Sequence, residues 1–413
     1  MKVFMIGGTG LLGSEAAKQL IERGHEVTSI ALPPLPAGAV LPPEMKIEYG
    51  NYLEMTDDEV RAYMKGCEGF IFAAGVDERV EGPSPIYNLY KKYNIDPVKR
   101  LLKLAKECGV KHSVILGSYF SYFAKKHPEW KLTKYHPYIR SRIDQENAAM
   151  SFAGKDFDVA VLELPYIFGT QPGRKPVWVF LVENIRSMKK TTLWPKGGST
   201  MVTVKQVGQA ITGALERNKG GKCYPIGYYN MEWKQMLKIC HKYLGCPNKP
   251  IKTIPNCFYA IGGMQLRKKQ KKEGIDGGLH MVKFTKLQCS NLFIDKKLGC
   301  EPLGVQPDDI ESAIGDSVKL CADILDGKSQ KYRRHETRLC FKPQKAGDIK
   351  FPRALLSRQR QARKLPAFSP RFHAVLLRLL SGNARRPSHG FVRHLQAPRR
   401  AETDGRDHAQ EVR

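Results

Sequence analysis

Long apolar runs are missing from this chain. No stretch of its 413 residues approaches the roughly 18 apolar residues of a membrane-spanning helix, and the N-terminus lacks the charged-then-apolar pattern of a secretory leader. The reading is a soluble, cytoplasmic protein without a membrane span. Paired cysteines are missing as well. The ten cysteines (Cys67, Cys108, Cys223, Cys240, Cys246, Cys257, Cys289, Cys300, Cys321, Cys340) are scattered without a CxxC. Cys240-His241 with Cys246 comes nearest to a metal cluster but lacks ligand spacing, so free thiols in a reducing compartment and no metal are expected. Acid is scarce: 40 Asp and Glu stand against 68 Lys and Arg, a formal net charge of +28.

The basic residues are not of one kind. Before Cys340 lysine outnumbers arginine 38 to 13, whereas from Cys340 onward arginine leads 13 to 4. Such a switch marks a boundary. From about Lys331 to Arg413 the only core-like period is the short basic stretch His373–Leu380, which predicts a basic, disordered tail. A solvated tail, an arm for nucleic acid or a membrane surface, and an appended coding segment without selected function all fit that composition.

What the chain does have stands at its start. The apolar run Val3–Ile6 breaks into Gly7-x-x-Gly10-x-x-Gly13, and Ala16, Ala17, Leu20 and Ile21 then repeat on one helical face. Strand, glycine turn and helix in that order place free N–H groups and the positive end of a helix dipole where a pyrophosphate can sit, and glycine lets the backbone come close. The pattern predicts dinucleotide binding.

Strand and helix patterns alternate after it, as in a parallel α/β sheet. Val27–Leu32, Lys46–Tyr49, Gly69–Ala74, Ser113–Leu116 and Asp158–Leu164 read as strands. Thr56–Lys65, Asp96–Cys108, Tyr138–Phe152, Val204–Arg217, Trp233–Leu244 and Asp308–Leu325 read as helices, and Ile251–Gly263 with Arg267–Lys272 as a loop and an exposed helix. The expected architecture is a Rossmann-type, doubly wound parallel sheet with a smaller C-terminal α/β substrate lobe. Its boundaries are 1–165 for the dinucleotide domain, 166–330 for the lobe and 331–413 for the tail.

Six motifs in order resemble the extended short-chain dehydrogenase/reductase family, in its NAD-dependent epimerase/dehydratase group, from Met1 to about Asp326. They are Gly7-Gly8-Thr9-Gly10-Leu11-Leu12-Gly13, Phe72-Ala73-Ala74-Gly75, Tyr93-Asn94-Ile95, Tyr138-Ile139-Arg140-Ser141-Arg142 with Glu146, Leu164-Pro165-Tyr166-Ile167-Phe168-Gly169, and Tyr224-Pro225-Ile226-Gly227. The resemblance implies NAD or NADP held by Gly7, Thr9, Gly10, Leu11 and Gly13. Further contacts would come from Asn51, from Ala73, Ala74 and Gly75, and from Asn94, Tyr138, Arg142 and Pro165.

The departures fall at informative places. Ala31 and Leu32 stand where relatives carry an acid for the ribose or a base for the extra phosphate, so NAD versus NADP stays open. Asn51 replaces an aspartate, and Lys205 stands where many relatives have an acid. In the family a tyrosine is the acid/base and a lysine one helical turn later lowers its pKa and holds the ribose. Tyr138 fits the first role. Arg142 occupies the second, keeping the charge but not the shape. The family's Ser/Thr position falls on Tyr119, with Ser118 one residue before and Ser121 two after as candidates for the substrate oxygen. Arg174 follows the lobe junction, where an arginine suits a substrate diphosphate.

Two functions follow. The first is an NAD(P)-dependent oxidoreductase or epimerase/dehydratase acting on a hydroxyl/carbonyl, with a nucleotide sugar as the candidate substrate and Tyr138, Arg142 and Ser118 as the catalytic set. The second is a catalytically impaired cofactor-binding protein whose basic surface, including Arg267, Lys268, Lys269, Lys271 and Lys272, takes RNA or another polyanion. A homodimer is compatible with either.

Overall fold

In β1 (Lys2–Ile6), Val3 and Met5 face one side, Phe4 and Ile6 the other, and all four are buried. A strand covered on both faces belongs at the centre of a parallel sheet. The computed structural model describes residues 1–33, 35 and 38–328. The expected tail, 331–413, lies wholly outside the described residues.

In chain order β1 is followed by β2 (Glu26–Ala31), β3 (Lys46–Tyr49), β4 (Gly69–Phe72), β5 (Glu81–Pro83), β6 (His112–Leu116), β7 (Asp158–Glu163) and β8 (Tyr166–Phe168). Then come β9 (Thr192–Pro195), β10 (Gly198–Thr203), β11 (Gly221–Pro225), β12 (Tyr229–Glu232), β13 (Ile251–Ile254), β14 (Ile275–Gly277) and β15 (Asn291–Leu292). Seven strands form an all-parallel sheet in the order β11-β7-β6-β4-β1-β2-β3. The order reverses between β1 and β4, so a crevice opens at their C-terminal ends, the usual place for a ligand in such a sheet.

Helices cover both faces. On one lie α1 (Leu11–Glu22) and α9 (Val204–Arg217), whose Ala16, Ala17, Leu20, Val207, Ala210 and Ile211 pack on Val3, Met5, Ile71 and Val114. A Cβ at Gly208 would stand 2.5 Å from the Gln19 side chain, so the two helices meet closely there. On the other face lie α2 (Asp57–Met64), α4 (Asp96–Glu107) and α7 (Pro137–Met150), with Val60, Leu101, Leu104 and Ala149 against Phe4, Ile6, Phe70 and Phe72. Burial of these side chains, at roughly 1.5–3 kcal/mol each before entropy is charged, is the main stabilising term. Between β4 and β7 the chain also forms α3 (Tyr87–Tyr90), α5 (Tyr119–Lys126) and α6 (Leu132–Tyr135).

After β7 the chain leaves the sheet at Leu164–Pro165 and later returns: α9 packs on α1, and β11 pairs with β7 at the sheet edge. The remaining elements build the second layer, where β12, β10 and β15 pair and β8 joins β10. It carries α8 (Val179–Ser187), α10 (Trp233–Tyr243), α11 (Asn256–Glu273), α12 (Met281–Gln288) and α13 (Ile310–Leu325).

One element reading fails. Residues 251–263 are not a loop: they form β13 and the first half of α11, which runs on through the basic stretch to Glu273. Gly262-Gly263 looks like a helix breaker, but a Cβ at Gly263 would lie 2.8 Å from the Met281 carbonyl carbon. Glycine is there because α11 and the start of α12 touch backbone to backbone. Among the described residues no helix is long and apolar enough to cross a membrane, no His/Cys/Asp/Glu group has metal-holding geometry, and the cysteines are free thiols.

Candidate active site

The glycine turn opens at the C-terminal end of β1. Gly7 has φ +92°, a left-handed conformation that glycine adopts without strain, and a Cβ there would meet the Ala73 carbonyl oxygen at 2.4 Å. A Cβ at Gly13 would stand 2.2 Å from the Gly7 carbonyl oxygen, so the third glycine lets α1 sit against the turn. Gly10 differs. Its Cβ would meet only the Gly7 oxygen, at 3.1 Å, and otherwise open space. Gly8 N–H is held by Ser29 Oγ at 3.0 Å. The corner therefore presents the first N–H groups of α1 to an open side, and these residues fit a dinucleotide pyrophosphate.

The neighbouring positions mostly position backbone. Asn51 Oδ1 accepts from Leu53 N–H at 3.1 Å and shapes the turn after β3. Ala73 N–H bonds Ile6 O at 2.8 Å, which carries the parallel pairing past the end of β4 toward Ala74. Asn94 is fully buried. Its Oδ1 accepts from Val76 N–H at 2.8 Å and its Nδ2 donates to Val76 O at 3.0 Å, clamping the loop that starts at Gly75. Asn94 lies in a π-turn, Lys91–Ile95, that leads into α4; such bulges recur at functional sites. Pro165 separates β7 from β8, and the preceding Leu164 O accepts from Tyr119 N–H at 3.0 Å. Leu32 is exposed, and neither it nor Ala31 offers a charged group at the end of β2.

Tyr138 stands in the first turn of α7, and its phenol is buried. Arg142, one turn on, donates from Nε to the Tyr138 hydroxyl oxygen at 3.1 Å. Its other nitrogens are engaged too: Nη1 donates to Gln145 Oε1 at 2.9 Å and to Leu116 O at 3.4 Å, and Nη2 donates to Val76 O at 3.3 Å. Gln145 Nε2 in turn donates to Asn94 O at 2.8 Å. One guanidinium thus ties α7, the end of β6 and the loop after β4 together. Ser118 caps α5, with Oγ accepting from Phe120 N–H at 3.4 Å, and it also hydrogen-bonds the Tyr138 phenol. Burial raises the Tyr138 pKa, and the Arg142 charge is the largest force pulling it back down.

Of the flanking candidates, Tyr119 points its hydroxyl at Ser199, whose Oγ donates at 3.2 Å. Ser121 is buried in the first turn of α5, its N–H on Ser118 O at 2.9 Å. Arg174 lies elsewhere, beside the glycine turn: Nη2 donates to Thr9 O at 3.3 Å.

Glu78 was not legible as a site residue; its only signal is its place in Asp77-Glu78-Arg79, just beyond the end of β4. Asp77 is paired with Arg79, and Arg79 Nη1 reaches Val177 O at 3.3 Å. The Glu78 carboxyl is coupled electrostatically to Asp77, Arg79 and Arg142, and to Tyr90, Tyr119, Tyr138 and Tyr166. It keeps some solvent access, yet the surrounding walls, then Asp77, push its pKa up. A half-buried carboxyl with a raised pKa, electrostatically coupled to Tyr138, is a candidate contact for a substrate polar group.

The profile of a family described as NAD(P)H-binding matches residues 7–216. A Synechocystis sp. protein provisionally named dihydroflavonol 4-reductase is 20% identical over 341 residues, covering 76% of this chain and 93% of that protein. Among solved structures, UDP-glucuronic acid 4-epimerase from Bacillus cereus, in complex with NAD, superposes with a TM-score of 0.55 at 12% identity. The match covers 78% of this chain and 99% of that one. A nucleoside-diphosphate-sugar epimerase from Pseudomonas aeruginosa gives 0.54 at 15% identity, covering 78% and 98%. At these identities the structures speak to the fold.

Proposed function

The chain belongs to the NAD(P)H-binding family, in the extended short-chain dehydrogenase/reductase class, and from that premise we propose an enzyme that oxidises or reduces a hydroxyl/carbonyl carbon, with Tyr138 as acid/base. The cofactor is NAD or NADP, held at the glycine turn, and when bound it supplies the hydride chemistry. The observation that supports the reading is the pairing of the buried Tyr138 phenol with Arg142 Nε at 3.1 Å and with Ser118, beside the crevice where the strand order reverses.

The roles follow from the chemistry of each group. In the reducing direction the Tyr138 O–H gives its proton to the substrate oxygen, and in the oxidising direction the phenolate takes it back. Arg142 stabilises the phenolate as a fixed positive charge, and Ser118 Oγ offers a second hydrogen bond to the same oxygen. Residues 166–330 supply most of the substrate lobe, with Glu78 facing the substrate from the loop after β4. Nucleotide sugars are the first substrate class to try, because two structural relatives carry epimerase names of that kind.

The test is turnover of the full chain with NAD, NADP and their reduced forms against UDP-glucose, UDP-glucuronic acid and simple ketones. In Tyr138→Phe the expected loss is about 10²–10⁴-fold in kcat, the usual scale of a positioned acid or base, with NADH affinity retained. Measurable wild-type turnover that survives the substitution unchanged moves the chemistry to another group. The polyanion reading has one observation of its own, the solvent-exposed Arg267, Lys268, Lys271 and Lys272 along α11. Salt-dependent RNA binding by the wild type that is lost on replacing those four residues would support it.

A further inference from the structure

Arg174 stands on the far side of the lobe junction in sequence and beside the glycine turn in space. Its Nε donates to Gln171 Oε1 at 3.0 Å and its Nη2 to Thr9 O at 3.3 Å. Gln171 is 5% exposed, and its Nε2 donates to Ser14 Oγ at 3.0 Å and Thr9 O at 3.4 Å. A buried amide thus fixes the guanidinium against the first turn of α1. Nη1 makes no hydrogen bond among the described residues.

The electrostatics of this placement are adverse as they stand. Arg174 is half-buried, and among the described residues no carboxylate pairs with it. It sits by the positive end of the α1 dipole, where a cation is disfavoured and an anion favoured. A partly desolvated guanidinium with only carbonyl acceptors, next to unsatisfied helix N–H groups and the open space over Gly10, makes sense around a bound anion. The anion that the glycine turn takes is a pyrophosphate.

We propose that Arg174, oriented by Gln171, binds the pyrophosphate of NAD(P) rather than a substrate diphosphate, so that the segment after β8 closes the cofactor site opposite the glycine turn. The same segment reaches the loop after β4 through Val177 O, which accepts from Arg79 Nη1 at 3.3 Å. Residues 171–177 therefore touch both ends of the crevice. The proposal rests on the cofactor site at Gly7–Gly13 and is independent of the Tyr138 chemistry.

The experiment is titration of the full-length protein and its Arg174→Ala, Arg174→Lys and Gln171→Ala variants with NADH and with ADP-ribose, which keeps the pyrophosphate but has no nicotinamide. Arg174→Ala should weaken both ligands about 10- to 100-fold, the scale of one charge-assisted contact. Arg174→Lys should recover part of the loss, and Gln171→Ala should lose less than Arg174→Ala. Melting temperatures establish that each variant is folded. A folded Arg174→Ala protein that binds both ligands within twofold of wild type overturns the proposal, as does a loss confined to substrate KM. Gly10→Val separates the two failures: if it abolishes NADH binding while Arg174→Ala does not, the cofactor site stands and only the arginine's role falls.

Discussion

Arg142 Nε donates to the Tyr138 phenolic oxygen at 3.1 Å, one helical turn along α7. The spacing belongs to the helix, but the hydrogen bond exists because three other acceptors, Gln145 Oε1, Leu116 O and Val76 O, hold the guanidinium plane in place. Arginine here does two things a lysine cannot do at once. It lowers the phenol's pKa and it ties down two backbone carbonyls.

Arg142→Lys should therefore split function from stability. The charge near Tyr138 survives, so turnover should stay within about tenfold of wild type. Loss of the links to Val76 and Leu116 should cost about 1–3 kcal/mol of stability. Arg142→Ala should lose both, with turnover falling by more than the lysine variant and NADH binding weakened. Urea unfolding together with steady-state kinetics checks this; equal kcat in the alanine and wild-type proteins would rule out the phenolate-stabilising role.

Two of the motif glycines, Gly10 and Gly13, should respond differently. At Gly10 the first atom of a new side chain meets one oxygen at 3.1 Å, so Gly10→Val should fold normally and fail to bind NADH. At Gly13 the same atom meets the Gly7 carbonyl oxygen at 2.2 Å, so even Gly13→Ala forces α1 off the sheet. Its expected signature is a lower melting temperature as well as lost binding. Similar melting curves for Gly13→Ala and wild type would contradict the close contact between α1 and the glycine turn.

Acid stability should depend on His136. Its ring is fully buried, Nδ1 accepts from His280 N–H at 3.1 Å, and burial, then the His280 charge, holds its pKa down at about 4. The unfolded chain takes up this proton near the ordinary value of 6.5 and the folded chain does not. The stabilisation is therefore complete above about 6.5 and is lost as pH falls toward 4, by on the order of 3 kcal/mol. His280, also lowered, adds to the same limb. His136→Asn keeps an acceptor for the His280 N–H and should flatten the loss of stability between pH 6.5 and 4. An unchanged slope would place the acid sensitivity elsewhere.

The parallel sheet, its flanking helices and the glycine turn were legible because they rest on local rules. Apolar residues on both faces of Val3–Ile6, the period of Ala16, Ala17 and Leu20, and glycines at fixed spacing each report on a few neighbouring residues. The α11 helix was not legible over its first half, because Gly262-Gly263 carries a local signal for a break and only the contact with Met281 overrides it. The helix α5 was missed for a related reason: Tyr119–Lys126 is rich in aromatic residues of modest helix propensity, and it is held by its Ser118 cap and by the packing of Tyr119, Phe120 and Phe123.

At the site the same division holds. The sequence alone determined the order strand–turn–helix, the Tyr138–Arg142 spacing and the absence of a charged selector after β2, since each is a matter of which residues stand a few places apart. Only the tertiary structure decided that Asn94 clamps the Val76 backbone, that Glu78 is coupled electrostatically to four tyrosines, and that Arg174 lies against Thr9. Those pairs are separated by long stretches of chain, or depend on which way a loop turns after its strand ends. Their geometry comes from the packing of whole elements, which no local pattern of residues encodes.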